Sequence, residues 1–228
     1  MTATFSIAGL VVSLVGPLIL MLAAKKSRFD SLSIRGRLSF WLLALIALVL
    51  AMYGAGPSWL KGLGVQPFGW LDLLGAVVVV IASLVGAICF QLLQRKLGIR
   101  NTEGAKLQQK LYGLSAPHRF LVVVTAAVVE EVLYRGYAIG IGQHVWGSLV
   151  VASAVSLFVF VVVHFSHGVF QLITVCWIAL LISLLFVITN NLLACILAHF
   201  VVDALGVLVM PWAASRQRAR RVSLAEDG

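Results

Sequence analysis

Charged residues are scarce in this chain, and acids are the scarcest of them. The 228 residues include 17 lysines and arginines but only 8 acids, and charged residues make up 11% of the chain against 61% hydrophobic residues. A soluble domain of this length cannot bury so much apolar surface, so the composition predicts an integral membrane protein. The net charge of +9 does not require nucleic acid, because basic residues between apolar runs follow from anionic lipid and the positive-inside rule.

Cysteine and metal-binding signatures are also sparse. The 3 cysteines, Cys89, Cys176 and Cys195, all lie in apolar runs, where they behave as small hydrophobic residues. This pattern excludes a disulfide framework and a zinc knuckle, and the chain has no His-Glu-x-x-His sequence. The first apolar run has no basic segment before it and ends at lysines rather than at a cleavage site, so we expect a retained span and not a signal peptide.

Most of the sequence consists of long apolar runs, which predict an all-α, polytopic bundle of transmembrane helices. A span needs roughly 20 apolar residues, and on that criterion the chain has about seven. We expect a single membrane domain over 1–228, with an amphipathic interfacial helix or a solvated linker at 98–118, a core that carries the polar motifs at 120–210 and a basic tail at 213–228. The expected spans are 5–24, 38–55, 71–93, 120–141, 148–164, 169–188 and 191–210.

Basic residues cluster after the first, third and last of these spans. Seven spans place all three clusters on one side of the membrane, whereas the opposite loops carry only Lys61. The positive-inside rule then predicts an N-terminus outside and a C-terminus in the cytoplasm. We expect a bacterial inner membrane as the location.

Three acids lie well inside the expected spans: Glu130, Glu131 and Asp203. A charged side chain at membrane depth is costly unless it is paired or hydrated, so such residues indicate a functional site. Glu131 and Arg135 are four residues apart and therefore share a helix face, which predicts an ion pair. Glu130 has Tyr134 one turn away as a hydrogen-bond donor and is the candidate general base. Helical geometry alone leaves the reverse assignment of the two glutamates open.

The same four-residue spacing recurs on two later spans. Phe160 and His164 are related in this way, and so are His199 and Asp203. Convergence of these faces predicts a buried cluster of Glu130, the two histidines and Asp203. The structural alternatives are an interfacial histidine at 164 and a mutually satisfied pair at 199 and 203 that joins helices.

The three spacings, taken in order, resemble the motif set of the CPBP family. This family comprises the CAAX prenyl proteases and the bacteriocin-processing or immunity proteins, also called Abi-type intramembrane endopeptidases. The resemblance covers about the C-terminal half of the chain and implies hydrolysis of a peptide bond in a membrane-associated protein or peptide. It implies that Glu130 and His164 activate water, that His199 and Asp203 stabilise the oxyanion, and that Glu131 and Arg135 support the site.

Two questions stay open from the sequence. The first is whether Glu130 and His164 lie at the same depth in the membrane. Glu130 is about ten residues from the inner face, roughly 15 Å by helix rise, whereas His164 lies near the inner end of its span. An inner cavity, or a longer span five, reconciles them. The second is metal: we favour a glutamic mechanism without cofactor, with zinc bound by Glu130, His164, His199 and Asp203 as the alternative.

Two functions of other classes also fit buried acids and histidines. One is a non-catalytic immunity or partner protein that uses the same bundle for binding. The other is a proton-coupled carrier, although the polar residues are confined to one half of the chain.

Overall fold

The computed structural model describes residues 3–26, 30, 32–99, 102–165 and 168–212. Within these ranges the ordered elements are helices, and no strand is present. The all-α fold predicted from the apolar runs is therefore confirmed. The basic tail at 213–228 lies outside the described residues.

The helices follow one another with short connections. Gly56–Ser58 forms one 3₁₀ turn, and residues 116–146 form one continuous helical stretch with a π-wound segment in its middle. The elements are α1 Ala3–Lys26, α2 Ile34–Ala55, α3 Trp59–Gly62, α4 Trp70–Lys96, α5 Thr102–Gly113, α6 Ala116–Thr125, the π segment Ala126–Ile141, α7 Gly142–Trp146, α8 Leu149–Val163, α9 Val169–Thr189, α10 Leu192–Ala204 and a final π turn Leu205–Val209.

Local side-chain chemistry fixes several helix ends. The Ser33 hydroxyl accepts a hydrogen bond from the Gly36 backbone N–H at the start of α2, and Ser148 does the same for Val151 at the start of α8. Asn190 ends α9 in the left-handed conformation with φ of 48°. Its neighbour Asn191 accepts from the Leu193 N–H and begins α10. These Ser and Asn caps satisfy backbone donors that a helix terminus leaves unpaired.

The π segment lies at the centre of the bundle. Helices α1, α2, α8 and α10 all pack against it, and residues 131–142 are buried without interruption. Hydrogen bonds from residue i to i+5 widen each turn, so neighbouring side chains rotate by less than the 100° expected of an α-helix. Most π-helices are single-turn bulges, often at functional sites, so a segment of 16 residues is unusual.

Among the described residues, five helical stretches are long and apolar enough to cross a membrane. Helix α8 is apolar but shorter, and the segment with Glu130, Glu131 and Arg135 carries three charges. Because other helices surround that segment, it does not need a uniformly apolar surface against lipid. Seven spans remain a prediction; the five candidates are Ala3–Ala23, Ile34–Gly62, Trp70–Lys96, Gln171–Thr189 and Leu192–Trp212.

A helix occupies most of the polar stretch at 98–118. This helix, α5, contains no buried residue, and an exposed ion pair joins Lys106 to Glu103 at 2.8 Å. Leu107 and Leu111 lie one turn apart and line a cavity of the bundle. The helical part of the expectation is thus observed, and its position at a membrane surface stays a prediction.

Candidate active site

Glu131 and Arg135 form the ion pair that their spacing predicts. Arg135 Nη1 donates to Glu131 Oε1 at 2.9 Å, and both side chains are almost completely buried, at 1% and 0% exposure. Arg135 Nη2 donates to the carbonyl oxygen of Ala179 on α9, also at 2.9 Å. The guanidinium therefore neutralises the carboxylate and joins the π segment to a second helix.

His199 on α10 binds the same carboxylate oxygen. Its Nδ1 atom lies 2.6 Å from Glu131 Oε1, so Nδ1 carries the proton and donates to the carboxylate. On the other side of the ring, Nε2 lies 3.6 Å from Asp203 Oδ2. The expected pairing of His199 with Asp203 is present, but the shorter contact of the imidazole is with Glu131.

His164 follows the last turn of α8 and is held by its own helix. Its Nδ1 donates to the carbonyl oxygen of Phe160 at 2.8 Å, which places the lone pair of a neutral ring on Nε2. The imidazole centre lies 4.5 Å from the centre of the Phe160 ring. Phe160 also meets Tyr134 edge to face at 4.9 Å, and Arg135 Cζ lies 4.9 Å from its ring centre. Phe160 therefore contacts a tyrosine, a histidine and an arginine of this cluster.

A cavity of about 580 Å³ brings the motif residues of three helices together. Glu130 lines it, whereas Glu131 is fully buried beside it and does not. Leu111, Arg37 and Val207 also line the cavity, so it extends to the end of the bundle that carries the basic loops. Glu130 and His164 thus line one cavity, although their expected depths differ. The motif residues in its wall are Glu130, Tyr134, Arg135, Phe160, His164, His199 and Asp203.

One expected contact is not formed. The Tyr134 hydroxyl is buried and has no hydrogen-bond partner among the described residues, so it does not donate to Glu130. Its ring packs instead against Phe160, and its backbone carbonyl accepts from the Ser156 hydroxyl at 2.7 Å. The spacing placed Tyr134 and Glu130 one turn apart correctly, but aromatic packing determines where the phenol points.

The zinc alternative named from the sequence stays a prediction. In the ranges that the structure covers, no group of three or more His, Cys, Asp or Glu side chains is placed to hold a metal ion. The Nδ1 atoms of His164 and His199 are already bound to a carbonyl and to a carboxylate. Histidines that bind a metal through Nε2 commonly donate Nδ1–H to such acceptors, so zinc stays an alternative to the glutamic mechanism, and we assign no step to it.

The motif-bearing region also matches a known family. Residues 113–205 match the family model described as Type II CAAX prenyl endopeptidase Rce1-like. This match supports the CPBP family of CAAX proteases, which the three motifs resemble. No curated protein and no solved structure gave a match.

The matched region runs from the end of α5 to the end of α10. It contains every residue of the three motifs, while α1, α2 and α4 lie outside it. Sequence reasoning missed two partners of the motif residues, the Ala179 carbonyl and the bond between His199 and Glu131. A backbone carbonyl leaves no signal in a sequence, and the second bond joins residues on separate helices.

Proposed function

We propose that this chain is an intramembrane endopeptidase in which Glu130 is the general base that activates water. One observation carries the assignment. Of the two adjacent glutamates only Glu130 lines the cavity, while Glu131 is fully buried and holds Arg135 and His199 on one oxygen. A general base must reach the proton it removes, and the position of Glu130 in the cavity wall supports its choice over Glu131.

Glu130 and His164 divide the activation of water between them. The Glu130 carboxylate takes one proton, and the hydroxide that results adds to the carbonyl carbon of the scissile peptide bond. His164 offers Nε2 as an acceptor, because its Nδ1–H is committed to Phe160, and so orients the water. Glu130 then returns the proton to the amide nitrogen, the carbon–nitrogen bond breaks, and an acid and an amine leave.

His199 stabilises the negative oxygen of the tetrahedral intermediate. Glu131 fixes the ring through Nδ1, which turns Nε2 towards Asp203 and the cavity. When Nε2 carries a proton, it donates to the oxyanion. An ionised Asp203 would repel that oxygen, so Asp203 acts by orienting His199. Donors fixed in advance in a water-poor site contribute strongly to such reactions, and removal of one typically costs a factor of 10²–10³.

The substrate in this proposal is a membrane-associated protein or peptide. The cavity is lined mainly by apolar side chains, and Glu130, His164, His199 and Asp203 are among its ionisable groups. Its accessible end lies among the basic loops, which the positive-inside rule assigns to the cytoplasm of a bacterial inner membrane. Reporter fusions after 26 and after 96 that report an external location would contradict this orientation.

The test compares the peptides of membranes that contain the chain with those that contain its Glu130→Gln variant. Both are expressed at equal levels in a host without a copy of its own, and termini are quantified by mass spectrometry. We expect new termini from membrane proteins only with the unmodified chain. Identical sets of termini, together with full biological function of the variant, would instead favour the non-catalytic partner protein.

A further inference from the structure

Gln171, in the first turn of α9, lies in the wall of the cavity that contains Glu130. The other residues of α9 in this wall are apolar and follow Gln171 at helical spacing: Val175, Ile178, Ala179 and Ile182. One face of α9 therefore forms an apolar wall of the cavity with a single carboxamide at its beginning. The proposed steps of catalysis give this carboxamide no role.

The Gln171 carboxamide has no structural partner. None of the described residues forms a hydrogen bond with it, and no side chain caps the start of α9. The carboxamide also stays accessible, because it is not among the enclosed polar atoms that lack a partner. It carries two donors and an acceptor, and all of them are available to a ligand in the cavity.

Two hydroxyl groups in the same wall have a different situation. The Thr125 hydroxyl oxygen accepts a hydrogen bond from Nε1 of Trp41 at 3.1 Å, which joins α6 to α2. The Tyr134 hydroxyl is enclosed, and its ring packs against Phe160. Gln171 is both accessible and unpartnered, so packing between helices does not account for it. Ligand pockets commonly have such a polar group in an otherwise apolar lining.

We propose that Gln171 binds the backbone of the peptide substrate through hydrogen bonds to one of its peptide groups. This inference rests on the proposed function, because it assumes that a peptide occupies the cavity. The carboxamide has the same donor and acceptor groups as a peptide bond. Its nitrogen donates to a backbone carbonyl, and Oε1 accepts from a backbone N–H.

This contact selects the conformation of the substrate and not its side chains. Every residue except proline offers a backbone N–H, but in a helix that N–H is already bonded to a carbonyl four residues earlier. Gln171 therefore favours an extended segment, whose backbone groups are free. The eight residues from Gln171 to Ala179 extend for about 12 Å along α9, which corresponds to about three or four residues of extended chain.

The experiment measures binding, so that it does not depend on cleavage. Full-length Glu130→Gln protein in nanodiscs is titrated with a labelled hexapeptide of alanine and valine and with analogues in which a single peptide bond is replaced by an ester. An ester has no N–H to donate. We expect at least one analogue to bind about fivefold more weakly than the parent peptide, the effect of one neutral hydrogen bond.

Substitutions at Gln171 show whether that loss belongs to its carboxamide. Gln171→Met has a side chain of similar length without an amide, so in this background the same analogue and the parent should bind equally. Gln171→Glu keeps an acceptor at the same place and should keep the difference. The control is Gln91→Met on α4, because Gln91 is exposed and does not line the cavity, and it should also keep the difference.

Equal binding of the parent and all its analogues in the Glu130→Gln protein would overturn the proposal, as would failure of the parent to bind. The same loss in the Gln171→Met background would overturn it too, and would leave Gln171 as a residue hydrated at the edge of the cavity. The affinity of the ester analogue should be equal in both proteins, which shows that the Gln171→Met variant is folded. Absence of cleavage by the unmodified chain with an intact ester effect would count against the proposed function alone.

Discussion

The Nδ1 atom of His199 lies 2.6 Å from Oε1 of Glu131, on the same oxygen that accepts Arg135 Nη1 at 2.9 Å. This one carboxylate thus joins α10 to the π segment, and through Arg135 it is connected to α9. The two adjacent glutamates consequently have different environments. Glu131 is enclosed by its partners, and Glu130 lines the cavity.

Glu131→Gln should destabilise the protein. The amide keeps the size of the side chain but leaves the buried Arg135 without its counter-charge, and breaking a buried pair in this way costs about 3–5 kcal/mol. We expect a clear fall in the midpoint of thermal unfolding in detergent, with reduced cleavage because His199 loses its fixed orientation.

The matched control is Glu103→Gln on α5. Its pair with Lys106 is exposed, and exposed pairs contribute little to stability. Equal unfolding midpoints for Glu131→Gln and Glu103→Gln would be incompatible with the ion-pair arrangement described here.

Phe160→Leu should lower the rate of cleavage by about tenfold, which corresponds to a loss of about 1.4 kcal/mol of transition-state stabilisation. Leucine keeps the site apolar but removes the ring that contacts Tyr134, His164 and the Arg135 guanidinium. His164 would then lose its packing partner while keeping its backbone acceptor. Steady-state kinetics should show the change mainly in kcat.

Phe158→Leu, two residues earlier on α8, serves as the control for that substitution. Phe158 is 69% exposed on the outside of the bundle and touches none of the site residues in the ring contacts described. Comparable losses of kcat in the two variants would show that α8 as a whole, and not the Phe160 ring, sets the rate.

Asp203→Asn should retain most activity. If Asp203 orients Nε2 of His199, an amide oxygen at the same place can still accept from the ring, and the repulsion of the oxyanion disappears. Asp203→Leu removes the acceptor and should reduce kcat by at least tenfold, as expected when a positioned donor is lost. A large loss in the Asn variant would mean that the charge itself is needed.

Thorough chelation should leave activity intact, because the proposed steps use Glu130, His164 and His199 without a metal. The purified protein is dialysed against a strong zinc chelator, and cleavage is then assayed with and without added zinc. Stoichiometric zinc in the active protein, lost together with activity and restored with it, would refute the glutamic mechanism. Unfolding midpoints before and after dialysis show whether the chelator alters the fold.

The sequence predicted those parts of the site that are local. Four-residue spacing predicted the pair of Glu131 with Arg135 and the neighbouring positions of His199 and Asp203, because residues one turn apart share a face. It did not predict the π winding, since apolar periodicity cannot distinguish i+4 from i+5 hydrogen bonds over a few turns. The predicted hydrogen bond from the Tyr134 hydroxyl to Glu130 was wrong, because packing against Phe160 on another helix determines where the hydroxyl points.

The features of the site that the sequence did not predict depend on tertiary contacts. The bond of His199 to Glu131 depends on how α10 packs against the π segment, and the burial of Arg37 depends on the cavity that the bundle encloses. In the sequence Arg37 is one of several basic residues in a loop, and its neighbour Arg35 has the same character. Arg35 and Arg37 differ in burial, which only the fold determines.

The most direct test of the central claim is the rate of cleavage by the Glu130→Gln protein, purified in lipid, on a substrate identified from the membrane peptides. Loss of a general base typically costs a factor of about 10²–10⁴, and we expect a loss in this range with an unfolding midpoint like that of the unmodified protein. Cleavage within twofold of the unmodified rate would contradict the claim that Glu130 activates the water.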